Sequence, residues 1–229
     1  MANPIFVAVD TPDIAAARAL VAAAARHVGG VKLGLEFFCA HGPAGVAAVM
    51  DGLSGPRRLP LFLDLKLHDI PNTVAGAVKS LAPLAPSILT VHAAGGSAML
   101  AAARAAAPAT TRVVAVTVLT SLDDADLLAT GVGDGAAVQA LRLAGVARSS
   151  GLDGIVCSPH EVAAVKAAWP QGLLVVPGVR PAGSDTGDQK RVMTPAAALA
   201  AGAGVLVIGR PITAAPDPAA AAAAIAASL

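Results

Sequence analysis

Three charged side chains lie close together in the stretch from Phe62 to Thr73, which has the sequence FLDLKLHDIPNT. They are Asp64, Lys66 and Asp69, so a carboxylate, an ammonium and a second carboxylate alternate within six positions. Each opposite pair at ~4 Å would attract by ~4 kcal/mol at an effective dielectric near ~20, which would keep the lysine protonated and fixed in place. Such an array also leaves a carboxylate beside the place where an anionic group of a substrate would lie.

A buried strand is predicted to present these charges. The apolar run 61–63 follows Pro60 and leads directly into Asp64. Because alternate side chains of a strand share a face, we expect Asp64 and Lys66 to point the same way, with Asp69 in the turn just beyond. A simpler alternative is that Asp64 and Lys66 form an ion pair that only closes the end of the strand.

A helix is predicted after this turn. Pro71 has the fixed φ that suits a helix entry, and Asn72 or Thr73 can cap a helix that runs through Lys79. The charged side chains would then lie where a strand passes into a helix.

Eight apolar runs of strand length alternate with Ala-rich stretches of helical length along the chain. The strand-like runs are Ile5 to Val9, Gly30 to Leu33, Leu61 to Leu65, Ile88 to His92, Val113 to Val118, Gly154 to Cys157, Leu173 to Val176 and Val205 to Ile208. The helical stretches include Ile14 to Arg26, Gly42 to Met50, Thr73 to Leu81, Ala98 to Ala107, Ala136 to Ser150, Pro159 to Trp169 and Pro195 to Ala201. This alternation predicts an α/β protein, a (β/α)₈ TIM barrel, as a single domain over residues 1–229. An open doubly wound sheet is the alternative, but no Gly-x-Gly-x-x-Gly follows the first strand.

The composition narrows the classes of partner. Of 229 residues 55% are hydrophobic, and 16 basic against 15 acidic residues give a net charge of +1. Since the chain has no basic run interleaved with aromatic residues, nucleic acid is not an expected partner. The Ala-rich tail after Pro218 is too short and too weakly hydrophobic to cross a membrane, so we expect a terminal helix there and no membrane partner.

The N-terminus and the cysteines favour the cytoplasm. The first ten residues, MANPIFVAVD, lack the basic segment and long apolar segment of a signal peptide. Cys39 and Cys157 are too few for a disulfide framework, which suits a reducing compartment. No cluster of Cys and His residues has the spacing of a zinc site.

Polar residues end several of the predicted strands, and barrel enzymes place their chemistry at the carboxyl ends of the strands. Asp10 ends the first strand, although it could instead cap a helix. Lys32 lies within the second strand, where a buried lysine needs a charged partner or a ligand at its tip. His92 ends the fourth strand, and we expect it to be a hydrogen-bonded core histidine without a chemical role.

The last quarter of the chain carries features of a phosphate site. The polar segment GVRPAGSDTGDQKR follows Pro177 and has Arg180 and Gln189 toward its ends. Long polar loops of this kind commonly close over a ligand, and we predict this role here. The alternative is an ordinary solvated loop. The last strand ends at Gly209 and Arg210, where barrels commonly bind phosphate. Glycine lets the backbone approach an anion, and arginine can bind the anion through two hydrogen bonds.

The stretch DLKLHDIPNT resembles the D-x-K-x-x-D-I-P-x-T motif of the orotidine 5′-phosphate decarboxylases. Every fixed position of that motif is present, at Asp64, Lys66, Asp69, Ile70, Pro71 and Thr73. The other candidate residues occur in the order that the family implies, so the resemblance extends from Asp10 to Arg210. It implies a barrel that acts on orotidine 5′-phosphate with neither a metal nor an organic cofactor.

The resemblance also implies roles for these residues. Asp64 would lie against the substrate carboxylate, and Lys66 would stabilise the carbanion that develops at ring carbon C6 and then protonate it. The 5′-phosphate would be held by Arg180, Gln189, Gly209 and Arg210.

The ribose and the base have their own implied contacts. Asp10 and Lys32 would bind the ribose, and Thr120 would contact the edge of the pyrimidine. Ser121 stands beside Thr120, but it is equally suited to capping a helix before the segment LDDAD, so Thr120 is the preferred site residue.

A second copy of the chain is implied as well. By resemblance, Asp69, Ile70 and Thr73 would reach the site of a neighbouring subunit. The protein would then be a homodimer with two shared sites.

Two other functions fit part of the pattern. A sugar-phosphate decarboxylase or aldolase of the same suprafamily shares D-x-K-x-x-D but holds an enediolate with magnesium, which a glutamate in the second strand ligates. Lys32 takes that place here, although Glu36 is close by in the sequence. A catalytically silent barrel that binds a nucleotide or sugar phosphate is the other alternative, but phosphate binding alone does not require Lys66 and its two carboxylates.

Overall fold

Eight parallel strands close into a barrel in which each strand pairs with the next and β8 pairs with β1. The computed structural model describes residues 3–52, 59–181 and 193–229. The strands are β1 (Ile5–Val9), β2 (Gly30–Gly34), β3 (Leu61–Leu67), β4 (Ile88–His92), β5 (Arg112–Val116), β6 (Gly154–Val156), β7 (Leu173–Val176) and β8 (Val205–Ile208). The predicted (β/α)₈ barrel is therefore confirmed, with strand ends displaced by at most two residues from the predicted ones.

Helices follow the strands and cover the outside of the barrel. Within the described ranges they are α1 (Ile14–Ala24), α2 (Leu35–Asp51), α3 (Pro71–Leu81), α4 (Gly96–Ala106), α5 (Asp124–Ala129), α6 (Gly135–Ser149), α7 (Val162–Ala168), α8 (Pro195–Ala200), α9 (Arg210–Thr213) and α10 (Pro218–Ala227). The sequence predicted α2 only from Gly42 onward and missed α5 and α9, which are too short to show a helical period. In the described part of the chain, no helix combines the length and the apolar character that crossing a bilayer requires.

The core has two layers because alternate residues of each strand face opposite sides of the barrel wall. The outer layer lies between the strands and the helices, and includes Val7 on β1 and Ala17 on α1. The inner layer fills the barrel, where the rings of Phe6 and Phe62 meet edge to face with centroids 6.3 Å apart. Gly30 leaves room for the Phe6 ring, since a Cβ there would lie 2.2 Å from a ring carbon. The inner layer therefore closes the barrel below its carboxyl end.

Two helix caps differ from the predicted ones. Helix α3 begins at Pro71 with Ile70 as its N-cap, and no side chain accepts a capping hydrogen bond there. Asn72 and Thr73 lie inside the first turn because proline, which lacks an N–H, already occupies the first helical position. Helix α5 is capped by Asp123, whose side chain accepts hydrogen bonds from the Ala125 and Asp126 N–H groups, and not by Ser121.

Candidate active site

A cavity of about 430 Å³ lies at the carboxyl ends of the barrel strands. Strand residues that face inward, such as Phe62 and Val207, supply the apolar part of its wall. Eight residues predicted for the site line the same cavity: Asp10, Lys32, Asp64, Lys66, Thr120, Arg180, Gly209 and Arg210. The structure therefore brings together residues that are as far apart in the chain as Asp10 and Arg210.

Four of these side chains form a row of alternating charge. Lys66 Nζ lies 2.9 Å from Asp64 Oδ2, and Lys32 Nζ lies 3.6 Å from the same oxygen. Lys32 Nζ also donates a hydrogen bond to Asp10 Oδ1 at 3.1 Å. The ion pair of Asp64 and Lys66 thus exists, but both side chains also line the cavity, so the pair is part of its wall.

The side chains of this row differ in their exposure to solvent, and burial is one of the factors that determine the pKa of Asp64. The Lys32 side chain is 9% exposed and that of Asp64 is 14% exposed, whereas Lys66 is 30% exposed. Burial alone would raise the pKa of Asp64, but the Lys32 and Lys66 ammonium groups and hydrogen bonds from Lys66 and Thr90 hold that pKa below its ordinary value of 3.8. The carboxylate is therefore ionised at neutral pH, and both ammonium groups have an anionic partner.

Strand β3 is irregular where it carries the charges. Leu63 lies opposite Leu89 of β4, and Leu67 lies opposite Val91, so four steps along β3 match two steps along β4. Lys66 lies in this bulge with φ of 50°, in the left-handed region that side chains other than glycine seldom adopt. Asp64 and Lys66 still face the cavity together, as alternate positions of a strand predict.

Thr90 is a site residue that sequence reasoning missed. It lies on β4 and is fully buried. Its hydroxyl donates to Asp64 Oδ1 at 3.0 Å and accepts from the Lys66 backbone N–H at 2.9 Å. A hydroxyl within the otherwise apolar run 88–91 was the available signal, but the sequence does not reveal which residues that hydroxyl meets.

The loops after β7 and β8 form another part of the wall. They contribute Gly178 and Arg180 after β7, and Gly209 and Arg210 after β8. The nearest atoms to a Cβ at Gly209 would be those of Ala8 and Asp10, at 3.5 Å or more, which is ordinary van der Waals contact, so close packing within the protein does not require glycine there. Approach of a ligand to the backbone would explain it. Gln189 and most of the loop that was predicted to close over a ligand lie outside the described residues.

Three predicted residues do not line the cavity. Asp69, Ile70 and Thr73 follow β3 and are exposed, with Ile70 at 66%. Asp69 Oδ1 accepts a hydrogen bond from the Ile70 N–H at 2.6 Å, a local turn contact. Within one barrel these residues are thus separate from the charged row.

Two histidines stack near Lys66. The His68 and His92 ring centroids are 5.2 Å apart with their planes inclined by 15°. Burial first, and then the charges of His68 and Lys66, lower the pKa of His92, whose Nδ1 accepts a hydrogen bond from the Ala94 N–H. His92 is therefore a hydrogen-bonded residue at a strand end, as predicted, but it is only partly buried and does not belong to the core. The cavity wall does not include it.

The acidic residues do not gather into a metal site in the part of the chain that the structure describes. No group of three or more His, Cys, Asp or Glu side chains is placed there to hold a metal ion. Glu36 is exposed in the first turn of α2 and is not part of the cavity wall. Lys32, which by resemblance stands where the magnesium enzymes have a ligating glutamate, lines this cavity, and its positive charge would repel a cation.

The fold and the cavity together define a class of protein, a (β/α)₈ barrel with a row of lysines and carboxylates beside arginines suited to an anionic ligand. The profile of the "Orotidine 5'-phosphate decarboxylase / HUMPS family" matches residues 3–225. The chain therefore belongs to this family, as its DLKLHDIPNT motif predicted.

Individual relatives agree with this membership. The chain is 60% identical to the orotidine 5′-phosphate decarboxylase of Novosphingobium aromaticivorans, over 100% of both proteins. It is 58% identical to that of Thermobifida fusca, over 100% of this chain and 97% of the relative. The crystal structure of orotidine 5′-phosphate decarboxylase from Lactobacillus acidophilus superposes with a TM-score of 0.78 at 36% identity, covering 97% of each chain. Proteins of this name are carboxy-lyases that catalyse the last step of UMP biosynthesis.

Proposed function

We propose that this chain converts orotidine 5′-phosphate to uridine 5′-phosphate and carbon dioxide, in the cytoplasm and without a metal or organic cofactor. The observation that carries the proposal is the alternating row Asp10, Lys32, Asp64 and Lys66 in one cavity with two arginines. Family membership and relatives that carry the name of this decarboxylase support the same activity.

The charged row accounts for the chemical step. The bond between C6 and the carboxylate breaks, carbon dioxide leaves, and the electron pair stays on C6. The Lys66 ammonium, fixed 2.9 Å from Asp64, stabilises this growing negative charge and then transfers a proton from Nζ to C6. Because the ammonium is already in place, little reorganisation accompanies the step. Asp64 lies against the substrate carboxylate.

The rest of the substrate binds around this centre. Asp10 and Lys32 contact the ribose, Thr120 contacts the pyrimidine edge, and the phosphate is held by Arg180, Gln189, Gly209 and Arg210. Binding energy from the phosphate and ribose, far from C6, serves to align the reacting groups. Phosphate-free orotidine should therefore react more slowly at saturation as well as bind more weakly.

The site is shared between two copies of the chain. Support for this arrangement comes from three residues that belong to the same motif as Lys66 but are exposed outside the cavity of their own barrel. They are Asp69, Ile70 and Thr73. In a homodimer they would complete the cavity of the partner subunit, which gives each of the two sites residues from both chains.

The test is a spectrophotometric assay of the purified protein with orotidine 5′-phosphate in the presence of a chelator. Wild type should be active, and Lys66→Ala should lose at least about a thousandfold in kcat, because a general acid and a fixed positive charge are removed together. Lys166→Ala is the matched control, since Lys166 lies on α7 and donates to the Pro170 carbonyl, outside the cavity. It should keep wild-type activity.

Three outcomes would contradict the proposal. Wild-type turnover that depends on added magnesium would favour the magnesium enzymes of the suprafamily. Binding of uridine 5′-phosphate with no turnover of orotidine 5′-phosphate would favour a silent barrel. A fully active Lys66→Ala variant would remove Lys66 from the chemical step.

A further inference from the structure

We infer that Thr90 is a positioning residue for the chemical step, because its hydroxyl fixes both the Asp64 carboxylate and the backbone of Lys66. This inference rests on the proposed function. Thr90 lies on β4, is fully buried and is not part of the cavity wall, so it would act through its two partners and not on the substrate.

The hydroxyl of Thr90 has both of its partners in the charged row. It donates to Asp64 Oδ1 at 3.0 Å and accepts from the Lys66 backbone N–H at 2.9 Å. The other carboxylate oxygen, Asp64 Oδ2, faces Lys66 Nζ at 2.9 Å and Lys32 Nζ at 3.6 Å. One oxygen is held by Thr90 and the other faces the ammonium groups. The carboxylate group of Asp64 is therefore restricted in its rotation about the Cβ–Cγ bond.

The same hydroxyl supports an unusual backbone. In the bulge of β3 the regular pairing with β4 is interrupted between Leu63 and Leu67, and the Lys66 N–H bonds to the Thr90 side chain. Lys66 has φ of 50°, a conformation that persists in a residue other than glycine only when surrounding contacts enforce it. Thr90 supplies such a contact from the neighbouring strand.

These two bonds connect the position of the Lys66 ammonium to β4. Without the hydroxyl, the Lys66 backbone N–H loses its acceptor and Asp64 loses a donor, so the bulge and the carboxylate are both free to shift. Binding through the ribose and phosphate contacts would be affected less, because those contacts come from other strands. The loss should therefore appear mainly in kcat, and much less in KM.

The test compares two substitutions at position 90 with one elsewhere. Thr90→Val keeps the shape of the side chain but removes the hydroxyl, and kcat should fall about 10- to 100-fold, the loss that corresponds to a hydrogen bond to a charged group. Thr90→Ser keeps the hydroxyl and should retain most of the wild-type kcat. A packing role alone would predict the opposite order, since valine fills the site better than serine.

Thr111→Val is the matched control. Thr111 is also a buried threonine, and its hydroxyl donates to the Pro86 carbonyl at 2.7 Å, next to the amino end of β5 and away from the cavity. This variant should lose thermal stability but keep the wild-type kcat. If Thr90→Val is too unstable to purify, Thr90→Cys replaces it with the same expectation, because a thiol is only a weak donor and acceptor.

Each outcome decides one question. An active wild type with an equally active Thr90→Val variant, or a Thr90→Ser variant as impaired as Thr90→Val, would overturn the role of Thr90 and leave the proposed function intact. A wild type that does not decarboxylate orotidine 5′-phosphate would overturn the proposed function itself. A low kcat in Thr90→Val, recovered in Thr90→Ser, would support the inference.

Discussion

Asp64 contacts three different residues of the site. It faces the ammonium groups of Lys32 and Lys66 with one oxygen and accepts from Thr90 with the other. Its side chain is only 14% exposed, so water contributes little to holding its charge. The lysines and the threonine therefore supply most of the stabilisation of this carboxylate, and the carboxylate in turn holds the lysines in position.

The stability of the protein should depend on the ionisation of Asp64. Because its pKa in the folded chain lies below the ordinary value of 3.8, the ionised carboxylate stabilises the fold above that value, and this contribution is lost as the pH falls through the lowered pKa. Asp64→Asn leaves both ammonium groups without this partner and should cost about 3 kcal/mol at neutral pH. The difference from wild type should shrink as the pH falls below about 4, which urea unfolding from pH 7 to pH 3 would measure.

Asp134→Asn is the control for this experiment. Asp134 pairs with Arg142, but both side chains are at least half exposed, at 58% and 50%. Its replacement should change the free energy of unfolding very little at any pH. An Asp64→Asn deficit that stays constant down to pH 3 would show that the ionisation of Asp64 does not stabilise the fold.

Helix α2 is kinked at Gly42, and the helical segments before and after the kink both pack against the barrel. Gly42, inside the helix, has φ of 57° and ψ of −158°, and Pro43 follows it. Proline removes a helical hydrogen bond, and this φ and ψ are available almost only to glycine. Because the helix bends here, Phe37 before the bend and Val46 after it are both fully buried against the barrel.

Gly42→Ala should therefore destabilise the protein by about 1–3 kcal/mol. A Cβ at this position would meet nothing within 4 Å, so the cost comes from the backbone conformation and not from a clash. Gly145→Ala, in the exposed face of α6, also meets open space but has ordinary helical geometry, and should instead stabilise by up to about 1 kcal/mol. Thermal denaturation of both variants would check these opposite signs, and equal shifts would contradict the backbone explanation.

Part of the DLKLHDIPNT motif does not line the cavity of its own barrel. Lys66 lies in the cavity, whereas Asp69, Ile70 and Thr73 are exposed beyond the end of β3. An isoleucine that is 66% exposed, between Asp69 and Pro71 of the same motif, is suited to a contact with another copy of the chain. The whole molecule is therefore proposed to be a dimer in which each copy completes the site of the other.

Mixing inactive variants would test this sharing. When Lys66→Ala and Asp69→Ala proteins exchange subunits freely, about half of the dimers are hybrids with one intact site of two, so about a quarter of wild-type activity should return. Lys66→Ala mixed with Asp64→Ala is the control, because both residues lie in the same cavity of one chain and no intact site can form. No recovery in the first mixture, with subunit exchange demonstrated, would count against shared sites.

The sequence alone was sufficient for the fold class and for most of the candidate site. Alternating apolar and Ala-rich segments predicted the barrel, since the periods of strands and helices are local properties. The spacing of Asp64 and Lys66 predicted that they share a face, and strand-end positions identified Asp10 and Arg210. Lys32 was identified as a lysine within an apolar strand, which needs a charged partner or a ligand. These inferences needed only neighbouring residues and the rule that barrel chemistry lies at the carboxyl ends of strands.

Tertiary structure decided the features that depend on contacts between strands. Thr90 bonds to Asp64 across 26 positions, and Lys32 bonds to Asp10 across 22. The bulge that sets the left-handed backbone of Lys66 depends on the register between β3 and β4, which no local pattern specifies. Residue types and their spacing determine which groups can do chemistry, but the closure of the barrel determines which of those groups meet, because hydrogen bonds and ion pairs act over a few ångströms of space and not along the chain.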